Sequence, residues 1–282
     1  MVDDRADKRQ NGNGFTYIKS HLPEAGRLWQ LQPSLPMLTT ADIMTHLRTS
    51  GRPDVPIVRT EQVERQRQAV LGTISLKAVW LWLDRAKLLE QTEFVESITG
   101  CTSLPGVVLY ALTAGAAIDR HSRRSSCLDL MDGFLFDFIS NLYLFRAAAI
   151  CHQRIKAIML PGGLQLGRAV FPGDGKLDLS VQRLLCQWLD TERRIGLTVT
   201  RTAGALQPLK SLVATAPLLP VQDRGTEISA ASTDGVSQGE HPKSFLNVDA
   251  EIMDTYCDGC PRKVTCIYRN NIDHMDSMER KR

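Results

Sequence analysis

The sequence predicts one domain of mixed helix and strand, with an appendage at each end. Three observations carry that reading. The chain has 282 residues of which 43% are hydrophobic, enough to bury a sizeable core in one large domain. Residues 77–83 (KAVWLWL) and 107–112 have strand composition, whereas residues 128–158 are apolar almost all round and too long for a strand. After Pro220 the composition changes to Ser, Gly, Thr and charge, which cannot offset the entropy of ordering. These shifts divide the chain into a tail and extended arm (1–40), a body (41–220), a flexible linker (221–245) and a Cys-rich tail (246–282).

The elements follow in order. Residues 1–14 are polar and predict a disordered tail. Residues 15–38 carry apolar side chains interrupted by Pro23, Pro33 and Pro36, which predicts an extended arm lying on the body. Thr40-Ala41-Asp42 caps a short helix reaching Leu47, and Thr60 caps a helix over 61–71. A strand over 77–83 leads to a helix over 86–97, in which Leu88, Leu89, Phe94 and Val95 recur near helical spacing. Leu104-Pro105-Gly106 turns into the strand at 107–112. The helix at 128–158 is the central core element; on it Asp137 and Asn141, one turn apart, are either a buried pair bonding neighbouring backbone or a ligand contact. The turn Phe171-Pro172-Gly173-Asp174-Gly175 precedes an amphipathic helix with Leu177, Val181, Leu184, Leu185, Trp188 and Leu189 on one face. Residues 195–200 then alternate like a strand.

Charge and patterning exclude several classes. The net charge is only +3, with no Lys/Arg run or aromatic–basic stripe, so nucleic acid is not a predicted partner. His121-Ser122-Arg123-Arg124 reads as a solvated basic loop that could meet a phosphate or an acidic partner. The N-terminus lacks the apolar run of a secretory signal. The most apolar stretch, 130–150, contains Asp132, Asp137 and Arg146, each costing about 2.5–3.5 kcal/mol at a bilayer centre, so no membrane span is predicted. Seven cysteines, three of them clustered, point to cytoplasmic thiol or metal chemistry and away from a disulfide framework.

The sharpest chemical signal is Cys257-x-x-Cys260-x5-Cys266. A Cys-x-x-Cys pair lets two thiolates reach one metal, and Asp258-Gly259 permits the tight turn between them. Three thiolates leave one ligand to be found. For zinc it is His274; for an iron–sulfur cluster it is Cys101, Cys127, Cys151, Cys186, an exogenous group or a partner's residue. The absence of a second Cys-x-x-Cys pair tilts the choice to iron–sulfur.

Two sets of motifs carry a family resemblance. Pro172-Gly173-x-Gly175, six residues to Gln182, a helix, Arg194-Ile195-Gly196, a Thr-bearing strand and Pro208-x-Lys210-Ser211 form one set. Gly100-Cys101, then 107–112 running into Thr113-Ala114-Gly115, and Asp119 form the other. In order and spacing, over residues 41–220, these resemble the reactivation domain of cobalamin-dependent methionine synthase, in its short free-standing form. The resemblance implies an α+β domain: a bent antiparallel sheet with helices packed on it. It implies binding of S-adenosylmethionine in a shallow groove, by an Arg-x-x-x-Gly-Tyr segment that falls on Arg168, Val170, Gly173 and Asp174. Arg168 stands one residue early and Asp174 takes the aromatic position; Arg201 stands where Glu is common, and Ser211 to Ala214 takes the place of a small turn. The implied partners are a corrinoid-binding protein or methyltransferase whose cobalamin is reductively remethylated, and an electron donor. The alternative is a non-catalytic scaffold for such a corrinoid protein that has lost the methyl donor and keeps a structural metal in its tail.

Overall fold

A computed structural model describes residues 8–10, 16–18, 21–49, 58–89, 104–173, 177–201 and 204–221. The fold is α+β, built on a five-stranded antiparallel sheet. The strands are β1 (Lys8–Gln10), β2 (Thr16–Ile18), β3 (Trp29–Leu31), β4 (Lys77–Asp84), β5 (Gly106–Thr113), β6 (Leu164–Leu166), β7 (Thr198–Val199), β8 (Leu206–Gln207) and β9 (Ser211–Pro220). The helices are α1 (Thr40–Thr49), α2 (Thr60–Leu71), α3 (Arg85–Leu89), α4 (Ala116–Leu128), α5 (Leu130–Met159), α6 (Val181–Trp188) and α7 (Thr191–Ile195). The main sheet has the order β3-β4-β5-β9-β6, and β1–β2 and β7–β8 form separate two-stranded pairs.

Every residue of β5 is buried, because both faces of the sheet are covered. Period-2 alternation sorts the strands into two cores. Trp80, Trp82, Val108, Tyr110, Leu112 and Ala214 face one side, where Phe136, Phe138, Ile139 and Tyr143 of α5 pack against them. Val79, Leu81, Val107, Leu109 and Val213 face the other, under Leu185, Leu189, Ile195 and Leu197. The helix α5 is long and apolar enough to cross a membrane, yet 67% of its most apolar window is buried inside the domain.

Local chemistry explains most element boundaries and corrects several expectations. The reciprocal cap of α1 lies one residue before the expected Thr40: the amide of Asp42 donates to Thr39 Oγ1 (3.1 Å) and the amide of Thr39 to the Asp42 carboxylate (2.8 Å). Thr60 is the first residue of α2; its N-cap is Arg59, with no side-chain cap bond. Asp129 caps α5, accepting from the amides of Met131 and Asp132. The expected strand at 195–200 shrinks to β7, because α7 runs to Ile195 and Gly196 (φ 70°) ends it in the left-handed region. The helix expected at 177–189 starts at Val181, although Leu177 is buried. The expected basic loop at 121–124 lies inside α4. Lys8–Gln10, expected in a disordered tail, pairs with Thr16–Ile18. Within the described part of the expected extended arm, β3 pairs with β4, and Ala25 and Leu38 are buried. Of the helix expected over 86–97, only α3 lies within the described residues.

The α4–α5 junction supplies a test. A Cβ on Gly133 would lie 2.6 Å from Ser126 Cα and 2.8 Å from its amide nitrogen. Helix propensity alone favours Gly133→Ala by about 1 kcal/mol. The backbone clash should win, so Gly133→Ala is expected to destabilise the domain by about 1–3 kcal/mol, read from the urea midpoint. An unchanged or higher midpoint would show that the helices separate freely.

Candidate functional site

The three site residues expected from the sequence lie on one strip of chain. From β6 the backbone continues along β9: the amide of Gly167 donates to the Pro217 carbonyl (2.7 Å). Val170 then bridges Thr215, exchanging bonds of 2.7 and 2.9 Å. Between Leu166, opposite Leu218, and Val170, opposite Thr215, four steps on one side meet three on the other. Arg168 and Ala169 therefore share the rank opposite Ala216, as at a β-bulge. The bulge has a direct consequence for the spacing. Arg168, one residue early in the sequence, stands in the same rank as Ala169, where the Arg-x-x-x-Gly pattern would put its arginine. Gly173 closes the strip with φ 86°, its amide donating to the Leu177 carbonyl (2.8 Å), a conformation that favours glycine. Asp174 and Gly175 lie outside the described residues.

The second matched motif set comes to the same sheet. The Ser211 hydroxyl at the start of β9 donates to Thr113 Oγ1 at the end of β5 (2.8 Å). The Ala114 amide bonds to the Lys210 carbonyl (2.8 Å) and the Gly115 amide to Thr113 Oγ1 (3.1 Å). Thus Thr113-Ala114-Gly115 and Pro208 to Ser211, far apart in sequence, form one corner. Two acids fix that corner from outside. Asp119 accepts the Leu209 amide (2.7 Å), and Asp137 pairs with Lys210 (2.6 Å). Asn141 donates to Asp137 (3.2 Å), whose carboxylate in turn pairs with Lys210. Ser211 to Ala214 is regular strand, not the small turn of the resemblance.

Two features escaped the sequence reading. Thr215, 1% exposed and opposite Val170, has a hydroxyl with no hydrogen-bond partner among the described residues. His152 on α5 lies edge-on to Tyr110 at 6.1 Å. Burial, with Lys156 nearby, pushes the imidazole of His152 down to about 4, against a backbone hydrogen bond with Gly167 that raises it. Strand register brings Thr215 to the strip and the packing of α5 brings His152, neither of which is readable from one segment alone. A separate cavity of about 380 Å³ lies between α6, α7 and β7. It is lined by Arg183, Cys186, Asp190 and Glu192 among others and includes none of Arg168, Val170 and Gly173.

The expected metal ligands Cys257, Cys260 and Cys266 lie outside the described residues, as does Cys101. Among the described residues no group of three or more His, Cys, Asp or Glu could hold a metal. Of the cysteines considered as a fourth ligand, Cys151 and Cys186 are buried, and burial pushes the Cys151 thiol up to about 12. Cys127, at the end of α4, is exposed.

No protein-family model matches the chain, and no curated protein sequence does. Among solved structures, the chain is similar to the MetH reactivation domain bound to AdoHcy. The TM-score is 0.45 at 10% sequence identity, over 87% of this chain and 88% of that one.

Two predictions follow from the strip. A Cβ on Gly167 would meet Pro217 Cγ at 2.9 Å and its carbonyl oxygen at 3.1 Å. Gly167→Ala should therefore push the strip off β9, speed amide exchange at Val170 and Thr215, and cost about 1–3 kcal/mol. Unchanged exchange there would refute the close approach. The second concerns pH. His152 is depressed in the folded chain, so its stabilisation is full above the unfolded value near 6.5 and is lost as pH falls toward about 4. Across that window stability should fall by roughly 3 kcal/mol on this account. His152→Gln should flatten the profile, apart from the smaller contribution of His46, which burial also lowers.

Proposed function

We propose that this chain is a free-standing counterpart of the reactivation domain, which docks on a corrinoid-binding protein or methyltransferase and helps return its cobalamin to the methylated state. The observation that supports this is convergence. Described residues of the motifs carrying the resemblance, at 107–119, 170–173 and 208–211, are far apart in sequence, yet β5, β9 and the strip beside β9 bring them to one sheet. In this reading Arg168 pairs with the carboxylate of S-adenosylmethionine, the Val170 backbone lines the groove, and Gly173 lets the chain turn close to the ligand. The methyl group comes from the sulfonium, and an external donor supplies the electron. The tail cysteines would hold an iron–sulfur cluster or zinc, the former serving that electron transfer.

A second reading is favoured by Asp174. A carboxylate there lacks the stacking face of an aromatic ring, worth on the order of 1 kcal/mol, and its charge would repel the donor's own carboxylate. It describes a scaffold for a corrinoid protein that keeps the fold without the methyl donor.

Calorimetric titration with S-adenosylmethionine separates the two. Micromolar binding is expected, weakened about tenfold or more by Arg168→Ala, the loss of one charge-assisted pair. Asp174→Tyr should tighten it several-fold. Binding by the Asp174→Tyr protein alone would establish the scaffold reading. Absence of binding by both would end the methyl-donor proposal.

A further inference from the structure

The outer face of α4 is left with charge and apolar surface that the described fold does not use. Arg120, Arg123 and Arg124 are exposed, and none forms an ion pair with a described carboxylate. The acids nearby are already engaged. Asp119 accepts the Leu209 amide, Asp129 caps α5, and Asp132 pairs with Arg65 at 2.9 Å. At the end of the helix Leu128 and Leu130 are 80% and 82% exposed, with Cys127 exposed beside them. Helix α4 is fixed from behind, where Gly133 of α5 lies against Ser126. A rigid row of guanidinium groups thus ends in two leucines and a thiol.

The same chain carries the complementary pattern. Residues 246–260 (LNVDAEIMDTYCDGC) hold Asp249, Glu251, Asp254 and Asp258 and no Lys or Arg. Leu246, Val248, Ile252, Met253 and Tyr256 alternate among these acids, and Cys257 and Cys260 follow. We propose that this acidic, cysteine-bearing segment docks on the exposed face of α4. Its carboxylates would meet Arg120, Arg123 and Arg124, and its apolar side chains Leu128 and Leu130.

Tethering favours this occupant over a separate acidic protein or an anionic membrane. Residues 222–245 can extend to about 80 Å, whereas a body of this size has a radius of gyration of about 17 Å, so every face is within reach. A tether of that length holds the segment at an effective concentration on the order of millimolar, which a dilute partner does not match. Docking brings the exposed Cys127 thiol to the tail's cysteines, and a disulfide reads that contact directly.

The test uses the full chain with Cys257→Ser and Cys266→Ser, which leaves Cys260 as the single tail thiol. The protein is stripped of metal with a chelator and treated with diamide, which takes up the two thiol hydrogens as the S–S bond forms. Peptide mapping is expected to find Cys127 joined to Cys260, with buried Cys151 and Cys186 still reduced. Charge reversal on either side, Arg120→Glu/Arg123→Glu/Arg124→Glu or Asp249→Lys/Glu251→Lys/Asp254→Lys, should lower the yield at least fivefold. Combining the two reversals should restore it, which a merely unfolded variant would not do. A bond from Cys260 to Cys101 in place of Cys127 would overturn the proposal. So would a yield indifferent to charge reversal, which would leave the arginines to a different anionic occupant.

Discussion

The fold depends on one constraint: β5 has no wet face. All of its residues, Gly106 to Thr113, are buried between β4 and β9, under α5 on one side and α6 and α7 on the other. An antiparallel strand can have one polar side if that side meets water, but this strand cannot. Its run of Val, Leu, Tyr and Ala follows from that, as does the paired apolar run of β4. A register slip of one residue would exchange Tyr110, packed toward α5, with Leu109 or Ala111. The two faces differ enough in depth to resist this: Trp80, Trp82 and Tyr110 fill the α5 side, while Val79, Leu81 and Leu109 meet the shorter α6 and α7. Registration of β5 then sets β9, and β9 in turn sets the strip that carries Arg168, Val170 and Gly173.

Where β5 ends, polar groups take over from packing. The chain leaves β8, passes Pro208 and must enter β9 in register with Thr113. Three independent bonds impose that register: the Ser211 hydroxyl on Thr113, the Leu209 amide on Asp119, and the Lys210 ammonium on Asp137. The first is the best shielded. The last involves a carboxylate that is 43% exposed, so water and salt screen it and it contributes modestly to stability. Its role is more one of direction: it draws the Lys210 side chain across the end of α5.

Those parts of the fold that rest on local chemistry were legible in the sequence. The strands at 77–83 and 107–112 and the helix at 128–158 declared themselves because burial on all sides demands uninterrupted apolar runs. The alternation in β9 was harder to see, since Ser211-Leu-Val-Ala-Thr-Ala-Pro holds small residues where α5 crosses and carries a proline at 217. Helix α4 was missed because Arg120, His121, Arg123 and Arg124 read as loop composition; only Ile118 along it is buried, so it has almost no apolar stripe to detect. The expected site residues Arg168, Val170 and Gly173 could be named from the sequence, but the bulge that puts Arg168 in one rank with Ala169 could not. A bulge is a property of two strands together, and one strand's sequence does not reveal how many steps its partner takes.

That bulge also decides which backbone groups face outward. Val170 spends both its amide and its carbonyl on Thr215. In an antiparallel pair, the residues on either side of such a doubly bonded position turn their own amides and carbonyls away from the partner strand. Along this strip those are Ala169, which is buried, and Phe171, at the edge of the sheet beyond which no further strand lies among the described residues. Ala169 shares its rank with Arg168, and Phe171 leads directly into the left-handed turn at Gly173. The close approach of Gly167 to Pro217 holds this succession of bulge and turn against β9. The course of this edge thus rests on a glycine, since a Cβ at residue 167 would meet Pro217 at 2.9 Å.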